Sequence, residues 1–289
     1  MAEFDIDRFI ELSGAVALDD LDWATCRKIG VTDSEERILR YMGDTETHTI
    51  LYMKDLLGGH SAKDPAITNF LSVWVFEELW HGRAISRLLR ECGRPEEADR
   101  YTKVTKGASI REVVEMVLSQ STVYLTPRFI AAHMTWGAIN ELTAGAAYRA
   151  LENRTENPVL AELLRRIVKQ ERKHFAFYYT QAKKRLEGDP KAQKLTSFIL
   201  RNFWTVVGSG VGGWDNLSFI AASLFSDENG KIPLREAEAT INELPGMEWF
   251  HLLTQQVDGL AKKHIKEHGP VAAWGKAVPL AHVPEPAVA

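Results

Sequence analysis

Cysteine and long apolar runs are the two features that this sequence most clearly lacks. Cys26 and Cys92 are the only cysteines in 289 residues. They are too few for a disulfide framework and form no CxxC pair, so nothing supports a zinc-ribbon or thioredoxin-type protein. No stretch approaches the ~18 uninterrupted apolar residues of a membrane span. The first residues, MAEFDIDRF, lack the basic start and apolar run of a secretory signal. We therefore expect a cytoplasmic protein without a transmembrane segment.

An excess of positive charge is also missing. The formal net charge is −4, with 26% charged and 45% hydrophobic residues. This composition is ordinary for a globular protein and gives no reason to expect a nucleic acid as partner. The glycine-rich run at 208–213 (GSGVGG) matches GxGxxG by letter, but that motif needs a preceding strand and a βαβ context. Because a helical pattern precedes it, we interpret the run as a helix-breaking turn.

Helical periodicity dominates what is present. We predict an all-α fold with one domain at residues 1–268 and an extended or disordered tail at 269–289. Its core would be a four-helix bundle at about 34–187, with additional helices before and after it. Long helices are predicted at about 34–57, 65–92, 128–151 and 159–186. Shorter helices are predicted at about 110–124, 191–207, 214–225, 233–243 and 247–267.

Two ExxH pairs stand in these long helices, Glu78–His81 and Glu171–His174. A spacing of three residues places the carboxylate and the imidazole on one helix face. Dimetal-carboxylate bundles combine two such helices with one glutamate from each of two other helices. The candidates for those single carboxylates are Glu46 and Glu141.

The positions of the four glutamates support this choice. In an antiparallel helix pair, residues equidistant from the connecting turn lie at the same height. Residue 62 is midway between 46 and 78, and it falls in a turn-rich stretch. Residue 156 is midway between 141 and 171, and it falls in the polar link ENRTENP. Each ExxH glutamate is therefore expected to be level with the single glutamate of its partner helix.

A single ExxH pair usually means a solvated glutamate beside a surface or core histidine. Two pairs level with single glutamates in apolar surroundings favour a metal centre, because buried carboxylates are costly unless they are paired or metal-bound. Mixed carboxylate and imidazole ligands suit iron or manganese. We predict two iron ions, with manganese possible at one site. The predicted metal ligands, which would also be the catalytic residues through these ions, are Glu46, Glu78, His81, Glu141, Glu171 and His174.

Other polar and aromatic side chains near these positions receive plainer interpretations. Glu77 is rotated by about 100° from Glu78 on the helix, so it is not predicted as a ligand. His48 and His133 are interpreted as packing, surface or supporting residues. Tyr148 and Tyr178 follow Glu141 and Glu171 by seven residues, and a packed aromatic is preferred there over a redox tyrosine.

Small residues occupy one face around Glu141. They leave room for a substrate cavity beside the metals, or they allow close helix packing, and the sequence does not choose between the two. These four positions are Gly137, Ala138, Ala144 and Gly145.

These motifs resemble those of the acyl-acyl-carrier-protein desaturases, soluble dimetal enzymes of the ferritin-like superfamily. The segment FEELWHG at 76–82 resembles the family's EENRHGD, and QERKH at 170–174 resembles its DEKRHE. GDTE at 43–46 and NELT at 140–143 occupy the places of the first and third helix motifs. The resemblance covers about residues 34–225, with specific metal motifs and a loose remainder.

The resemblance implies a homodimeric diiron oxidoreductase. It would take electrons from a ferredoxin-type donor, use O2, and introduce a double bond into a saturated acyl chain on acyl carrier protein or coenzyme A. An acidic carrier protein would need a basic docking patch. The candidate residues, for which a solvated helix end is the preferred interpretation, are Lys183, Lys184, Arg185, Lys191 and Lys194.

Two positions depart from the family pattern. Ala144 stands where the family has a threonine, with Thr143 one residue away, and Gln170 replaces an acidic residue. These departures leave open a diiron oxygenase or oxidase acting on another substrate, such as an amine or amino acid. Iron storage fits less well, because the long C-terminal additions would hinder assembly into a cage.

Overall fold

The computed structural model of the protein describes residues 4–57, 59–94 and 126–271. This part of the chain is helical, and it contains no β-strand. The predicted helix at 110–124 and residues 272–289 of the predicted tail lie outside it. Ten α-helices and one 3₁₀ turn (His60–Lys63) occur in the described ranges. The α-helices are α1 (Ile6–Glu11), α2 (Trp23–Ile29), α3 (Asp33–Leu57), α4 (Pro65–Glu91), α5 (Phe129–Glu152), α6 (Pro158–Leu186), α7 (Pro190–Phe203), α8 (Gly213–Phe225), α9 (Glu228–Asn242) and α10 (Leu252–His268).

Side-chain caps explain where the long helices begin. The carboxylate of Asp64 accepts hydrogen bonds from the backbone N–H groups of Ala66 and Ile67 at the start of α4. The side chain of Asn157 does the same for the first turn of α6. In both helices the next residue is a proline, whose missing N–H is not needed at that position. The predicted starts of these helices are thus confirmed to within a residue.

The four long helices pack in pairs. α3 lies along α4, α5 lies along α6, and α4 also contacts α6. Gly82 allows the close approach of the first pair, since a Cβ built there would lie 2.6 Å from the hydroxyl oxygen of Thr47. Between α4 and α6, the rings of Phe70 and Phe177 stack with centroids 3.9 Å apart. Each buried phenylalanine contributes roughly 1.5–3 kcal/mol of hydrophobic stabilisation.

The C-terminal helices cover the long ones. α8 contacts α3 and α5, α10 packs on α8, and α7 and α9 pack on α5. The glycine run before α8 forms a turn, with Gly208 and Gly213 at φ values of 81° and 76°, which confirms its interpretation as a helix-breaking turn. No helix in the described ranges is both long and apolar enough to cross a bilayer.

Three predicted helix boundaries were wrong. α7 ends at Phe203 rather than 207, because Trp204 has an extended backbone. α9 begins at Glu228 rather than 233, because the side chain of Asp227 caps it by accepting from the N–H of Gly230. α10 begins at Leu252 rather than 247, after a turn in which Gly246 has a φ of 79°.

Candidate metal centre

The structure brings all six predicted ligands together in the core between the long helices. α3 supplies Glu46 and α5 supplies Glu141. The two ExxH helices, α4 and α6, each supply a glutamate and a histidine. Both histidines have no exposed surface, and none of the four carboxylate residues is more than 6% exposed. Six ionisable side chains therefore share one space away from water.

The six residues form two overlapping groups. In each group, one ligand atom per residue lies within 4.8 Å of the others. One group is Glu46, Glu78, His81 and Glu171, and the other is Glu78, Glu141, Glu171 and His174. Glu78 and Glu171 belong to both groups, so two ions would share them, whereas Glu46 and Glu141 would each serve one ion. Sequence spacing had left this assignment open.

Several of these atoms are buried without a hydrogen bond. Within the described residues, no hydrogen-bond partner is found for Nδ1 of either histidine, for Oε1 of Glu78, or for either carboxylate oxygen of Glu171. Leaving such groups unpaired costs about 1–3 kcal/mol each, and more when they are charged. Carboxylate and imidazole atoms that converge in this way fit a pair of divalent cations.

The distances show where the unpaired atoms converge. Nδ1 of His81 lies 3.3 Å from Oε1 of Glu171 and 3.7 Å from Oε2 of Glu46. Nδ1 of His174 lies 3.1 Å from Oε1 of Glu78 and 3.6 Å from Oε2 of Glu141. The second shared carboxylate is also close to each ring, at 3.8 Å for Glu78 from His81 and at 3.4 Å for Glu171 from His174, so each imidazole faces both shared carboxylates and one unshared carboxylate.

Hydrogen bonds on the outer side of each ring determine its tautomer. Nε2 of His174 donates to Oε2 of Glu77 at 2.7 Å, and Nε2 of His81 donates to Oε1 of Gln170 at 2.8 Å. The Gln170 amide is oriented unambiguously, because its Nε2 donates to two acceptors, the carbonyl oxygen of Gly14 and Oε1 of Glu77. In the neutral form of each ring the proton therefore lies on Nε2, and Nδ1 is the nitrogen that faces the ligand groups.

Glu77 proves more important than the sequence indicated. It lies outside both ligand groups, as expected, but it is completely buried. Besides its contacts with His174 and Gln170, it accepts from the N–H of Gly14 at 3.1 Å and from Nζ of Lys173 at 3.2 Å. Burial opposes its charge, but His174, followed by the Gly14 N–H and Lys173, holds the pKa of Glu77 below its usual value. The sequence signal for this role was the position of Glu77, a glutamate four residues before the predicted ligand His81 in an apolar helix.

The terminal carboxylates are also held by neighbouring side chains. The hydroxyl of Tyr148 hydrogen-bonds to Oε1 of Glu46, and Nε1 of Trp74 donates to Oε1 of Glu141 at 2.9 Å. Tyr148 is therefore both a packed aromatic and a direct neighbour of the centre. Tyr178 has the packing role that was preferred for it, since its ring meets those of Phe70 and Trp74 edge-on.

Three polar residues that the sequence places near the centre lie outside its ligand groups. His133 is buried, and its Nδ1 is hydrogen-bonded with the hydroxyl of Ser61 at 2.7 Å. His48 lies on α3, outside both ligand groups. The hydroxyl of Thr143 donates to the carbonyl oxygen of Ile139 in its own helix at 2.7 Å. None of these three residues belongs to the ligand groups.

Electrostatics show that the centre retains protons when it holds no cation. Burial, followed by the neighbouring carboxylates, raises the pKa of Glu46 and Glu141 well above its usual value. Burial disfavours charged imidazoles, yet the surrounding carboxylates hold the pKa of His81 and His174 well above its usual value. A metal ion entering the centre must therefore displace protons.

An apolar pocket reaches the centre from the side of the C-terminal helices. Glu46, Tyr148, Thr143 and Ala144 line its inner end. Its outer wall is formed by Val206 and Val207 and by side chains of α8 and α10, which are Leu217, Ile220, Ala221, Phe225, Val257 and Leu260. The pocket is small, with a volume of about 60 Å³. Apart from the carboxylate at its inner end, it offers no charged group.

The small residues around Glu141 have different surroundings. Ala144 lines the pocket. Gly137 instead allows close packing, because a Cβ built there would clash with the ring of Tyr178. Close helix packing is thus confirmed at Gly137, and a substrate beside Ala144 stays a prediction.

The predicted basic cluster lies at the junction of α6 and α7. Arg185 is half-buried and is engaged by the carboxylate of Asp64, so it belongs to the helix junction rather than to a docking surface. Lys184, Lys191 and Lys194 are exposed. The candidate patch is therefore smaller than the sequence predicted.

Comparison with known proteins adds no relatives to this description. No family model matches the chain, and neither the curated proteins nor the solved structures contain a match. The resemblance to the desaturases stays a prediction, and the proposal below depends on the geometry of the centre and of the pocket.

Proposed function

We propose that α3, α4, α5 and α6 form a ferritin-like four-helix bundle holding two iron ions, and that the protein is a diiron oxidoreductase acting on an apolar acyl chain. The observation that carries the proposal is the pair of buried ligand groups that share Glu78 and Glu171. Their unpaired inner atoms and their hydrogen-bonded outer atoms match what a carboxylate-bridged pair of cations requires.

The chemistry depends on the ions. Two bound iron ions supply the redox capacity to reduce O2 to water with two electrons from a ferredoxin-type donor and two from the C–H bonds of the substrate. Manganese at one position is compatible with the same donor set.

The side chains of this protein would bind, orient and exclude water. Glu77 and Gln170 orient the two imidazoles, while Trp74 and Tyr148 orient the terminal carboxylates. The Tyr148 hydroxyl is positioned to hold a proton at Oε1 of Glu46, at the inner end of the pocket. The apolar pocket wall keeps water from the reacting carbon atoms.

The pocket supports the choice of substrate class. Its lining is apolar and nearly uncharged, so it suits a saturated chain better than an amino acid, whose charged groups would find no partner along its wall. We propose acyl carrier protein or coenzyme A as the carrier of that chain, and a homodimer as the assembly. The exposed lysines at the α6–α7 junction are the proposed docking surface for a carrier protein.

A second function keeps the centre and changes the outcome. Ala144 lines the pocket at the place of the family threonine, and the hydroxyl of Thr143 is already bonded to its own helix. A hydroxyl that could assist the oxygen chemistry of a desaturase is therefore missing from that place. This observation favours an oxygenase or oxidase, and the pocket favours an apolar substrate for it too.

One experiment separates the two functions. Iron-reconstituted protein is incubated under air with ferredoxin, ferredoxin reductase, NADPH and saturated acyl chains of several lengths, on carrier protein and on coenzyme A. Mass spectrometry of the products then reads the outcome. Loss of two hydrogens from one chain length supports the desaturase, and gain of one oxygen supports the oxygenase. Unchanged acyl chains with an iron-loaded centre would contradict both acyl-chain functions.

Carrier docking has its own test. Charge reversal at Lys191 and Lys194 is expected to raise KM for a chain on carrier protein while leaving KM for the coenzyme A ester unchanged. Lys262 and Lys263, which are exposed on α10, provide the matched control for charge reversal elsewhere. An unchanged KM for the carrier-bound chain would remove this surface from the proposal.

A further inference from the structure

A second set of metal-binding side chains lies outside the buried centre, where the first turn of α8 meets the last turn of α10. Asp215 comes from α8, and His264 and His268 come from α10. One ligand atom of each lies within 4.8 Å of the others. The two imidazoles are four residues apart on one helix face, with ring centroids 4.7 Å apart.

The hydrogen bonds of Ser218 determine which nitrogen of His264 is available. The Ser218 hydroxyl donates its single proton to the carbonyl oxygen of Asp215 at 2.9 Å. Its contact with Nδ1 of His264 at 3.2 Å then requires the imidazole to be the donor. Nδ1 therefore carries the proton of the neutral ring, and Nε2 keeps its lone pair for a ligand. Metal-binding histidines are commonly fixed by such an outer hydrogen bond.

The other two side chains also have defined positions. One oxygen of Asp215, Oδ2, accepts from Nη2 of Arg37 at 2.7 Å, which holds the carboxylate in place. The other oxygen, Oδ1, lies 3.6 Å from Nε2 of His268. His268 ends α10, where the partial negative charge of the helix C-terminus favours a nearby cation. The positive charge of Arg37 opposes a cation, so we expect weaker binding here than in the buried centre.

We propose that Asp215, His264 and His268 form a separate site for a borderline divalent cation such as Zn²⁺. Two imidazoles and one carboxylate are the protein ligands of many zinc sites that leave a position for water. The set has no thiolate and too few oxygens for Ca²⁺ or Mg²⁺. This site is independent of the buried centre and of the proposed reaction.

A cation here would join the two helices that form the outer wall of the apolar pocket. Asp215 lies two residues before Leu217 on α8, and His264 lies one turn after Leu260 on α10, and both leucines line the pocket. The ion would thus restrain the relative movement of these helices at the end remote from the α8–α9 connection. Its occupancy would stabilise the pocket wall without contacting the buried ligand groups.

The test uses Zn²⁺ alone as the probe. The full chain carrying Glu171→Ala, which lacks a ligand common to both buried groups, is titrated with Zn²⁺ against a chromophoric chelator. Losing the outer hydrogen-bond partner of a metal ligand typically weakens metal binding by roughly 10–100-fold. Because His268 is a proposed ligand itself, adding His268→Gln is expected to weaken one Zn²⁺ site by more than that. Because the His268 side chain is about half exposed, this substitution does not threaten the core. The matched control is His251→Gln, at another exposed histidine, which is expected to leave binding unchanged.

A second measurement on the wild-type chain does not depend on these variants. In histidine ¹⁵N–¹H correlation spectra, one equivalent of Zn²⁺ beyond those taken by the buried centre is expected to shift the imidazole signals of both His264 and His268. Equal Zn²⁺ affinity with and without His268→Gln, or imidazole signals that do not respond to Zn²⁺, would overturn the proposal.

Discussion

The two halves of the buried centre have the same ExxH spacing but different outer partners. Behind His174 stands the carboxylate of Glu77, which also receives hydrogen bonds from the Gly14 N–H and from Lys173. Behind His81 stands the neutral amide of Gln170. A carboxylate makes the imidazole it contacts a more basic ligand than an amide does. We therefore expect the His174 group to bind a divalent cation more tightly than the His81 group.

Because of this difference, a symmetric ligand pattern does not make two equivalent sites. The ligand sets are mirror images, each with one unshared glutamate, one histidine and the two shared glutamates. What distinguishes them is a hydrogen bond on the far side of each ring. We therefore expect the largest effects from the ligands themselves, smaller effects from the outer partners of the imidazoles, and the smallest from the tyrosine that contacts Glu46.

The largest effect is expected from a shared ligand. Glu171→Ala removes a carboxylate from both groups and should abolish stable binding of two ions, whereas Glu46→Ala should cost only the ion of the His81 group. Metal content after desalting, by inductively coupled plasma mass spectrometry, measures both. Glu162→Ala, a more exposed position on the same helix, is the control. Two ions retained in Glu171→Ala would show that the carboxylate is not shared.

Glu77→Gln should weaken the tighter ion by roughly 10–100-fold. The amide cannot accept from all of the donors that now meet the carboxylate, and the basicity of His174 falls. Stepwise anaerobic titration with Fe²⁺ would then show two sites of more similar affinity. An unchanged difference in Fe²⁺ affinity between the two titration steps would show that the Glu77 carboxylate does not cause that difference.

Gln170→Ala should weaken cation binding by the His81 group, and by less than Glu77→Gln weakens binding by the His174 group. It removes a neutral partner from His81, so we expect about a tenfold loss, confined to the weaker of the two titration steps. The gap between the steps should widen in this variant and narrow in Glu77→Gln. A change of the same sign in both variants would contradict the assignment of one partner to each half.

Metal uptake should release protons. The pKa of His81 and of His174 is raised above its usual value in the metal-free centre, so both rings hold a proton near pH 7 that the ion must displace. The affinity of the centre for the cation therefore falls as pH falls, by about tenfold per pH unit for each proton released. Calorimetry in two buffers of different ionisation enthalpy counts the protons. A count of zero would contradict the predicted protonation of the empty centre.

The smallest effect is expected from Tyr148→Phe. It removes the hydrogen bond to Glu46 without changing the packing, so we expect a loss of about 0.5–1.5 kcal/mol in the binding of the His81-group ion only. The same titration measures it. Tyr178→Phe is the control, because that ring is buried on the His174 side and packs mainly against aromatic neighbours. An equal effect of both substitutions on cation binding would indicate that the loss comes from disturbed packing and not from the hydrogen bond to Glu46.

The sequence predicted the parts of the centre that local spacing determines. Three-residue spacing placed His81 with Glu78 and His174 with Glu171, and equal distances from two turns placed Glu46 and Glu141 level with them. The caps at Asp64 and Asn157 marked the helix starts for the same local reason.

Contacts between distant segments escaped prediction. The sharing of Glu78 and Glu171, and the contact of Glu77 with His174, depend on how the helices are rotated against each other. The Gly14 N–H donates to Glu77 and the Gly14 carbonyl oxygen accepts from Gln170, and both hydrogen bonds join segments that are far apart in sequence. The pocket wall likewise comes from α8 and α10, whose roles no spacing rule could reveal.

The proposed centre would hold two iron ions side by side in its two buried groups. X-ray absorption spectroscopy on anaerobically reconstituted protein measures whether it does. We expect two iron ions per chain with iron–iron scattering at roughly 3.5–4 Å, and loss of that scattering in Glu171→Ala. Fully loaded protein without iron–iron scattering would contradict a dimetal centre.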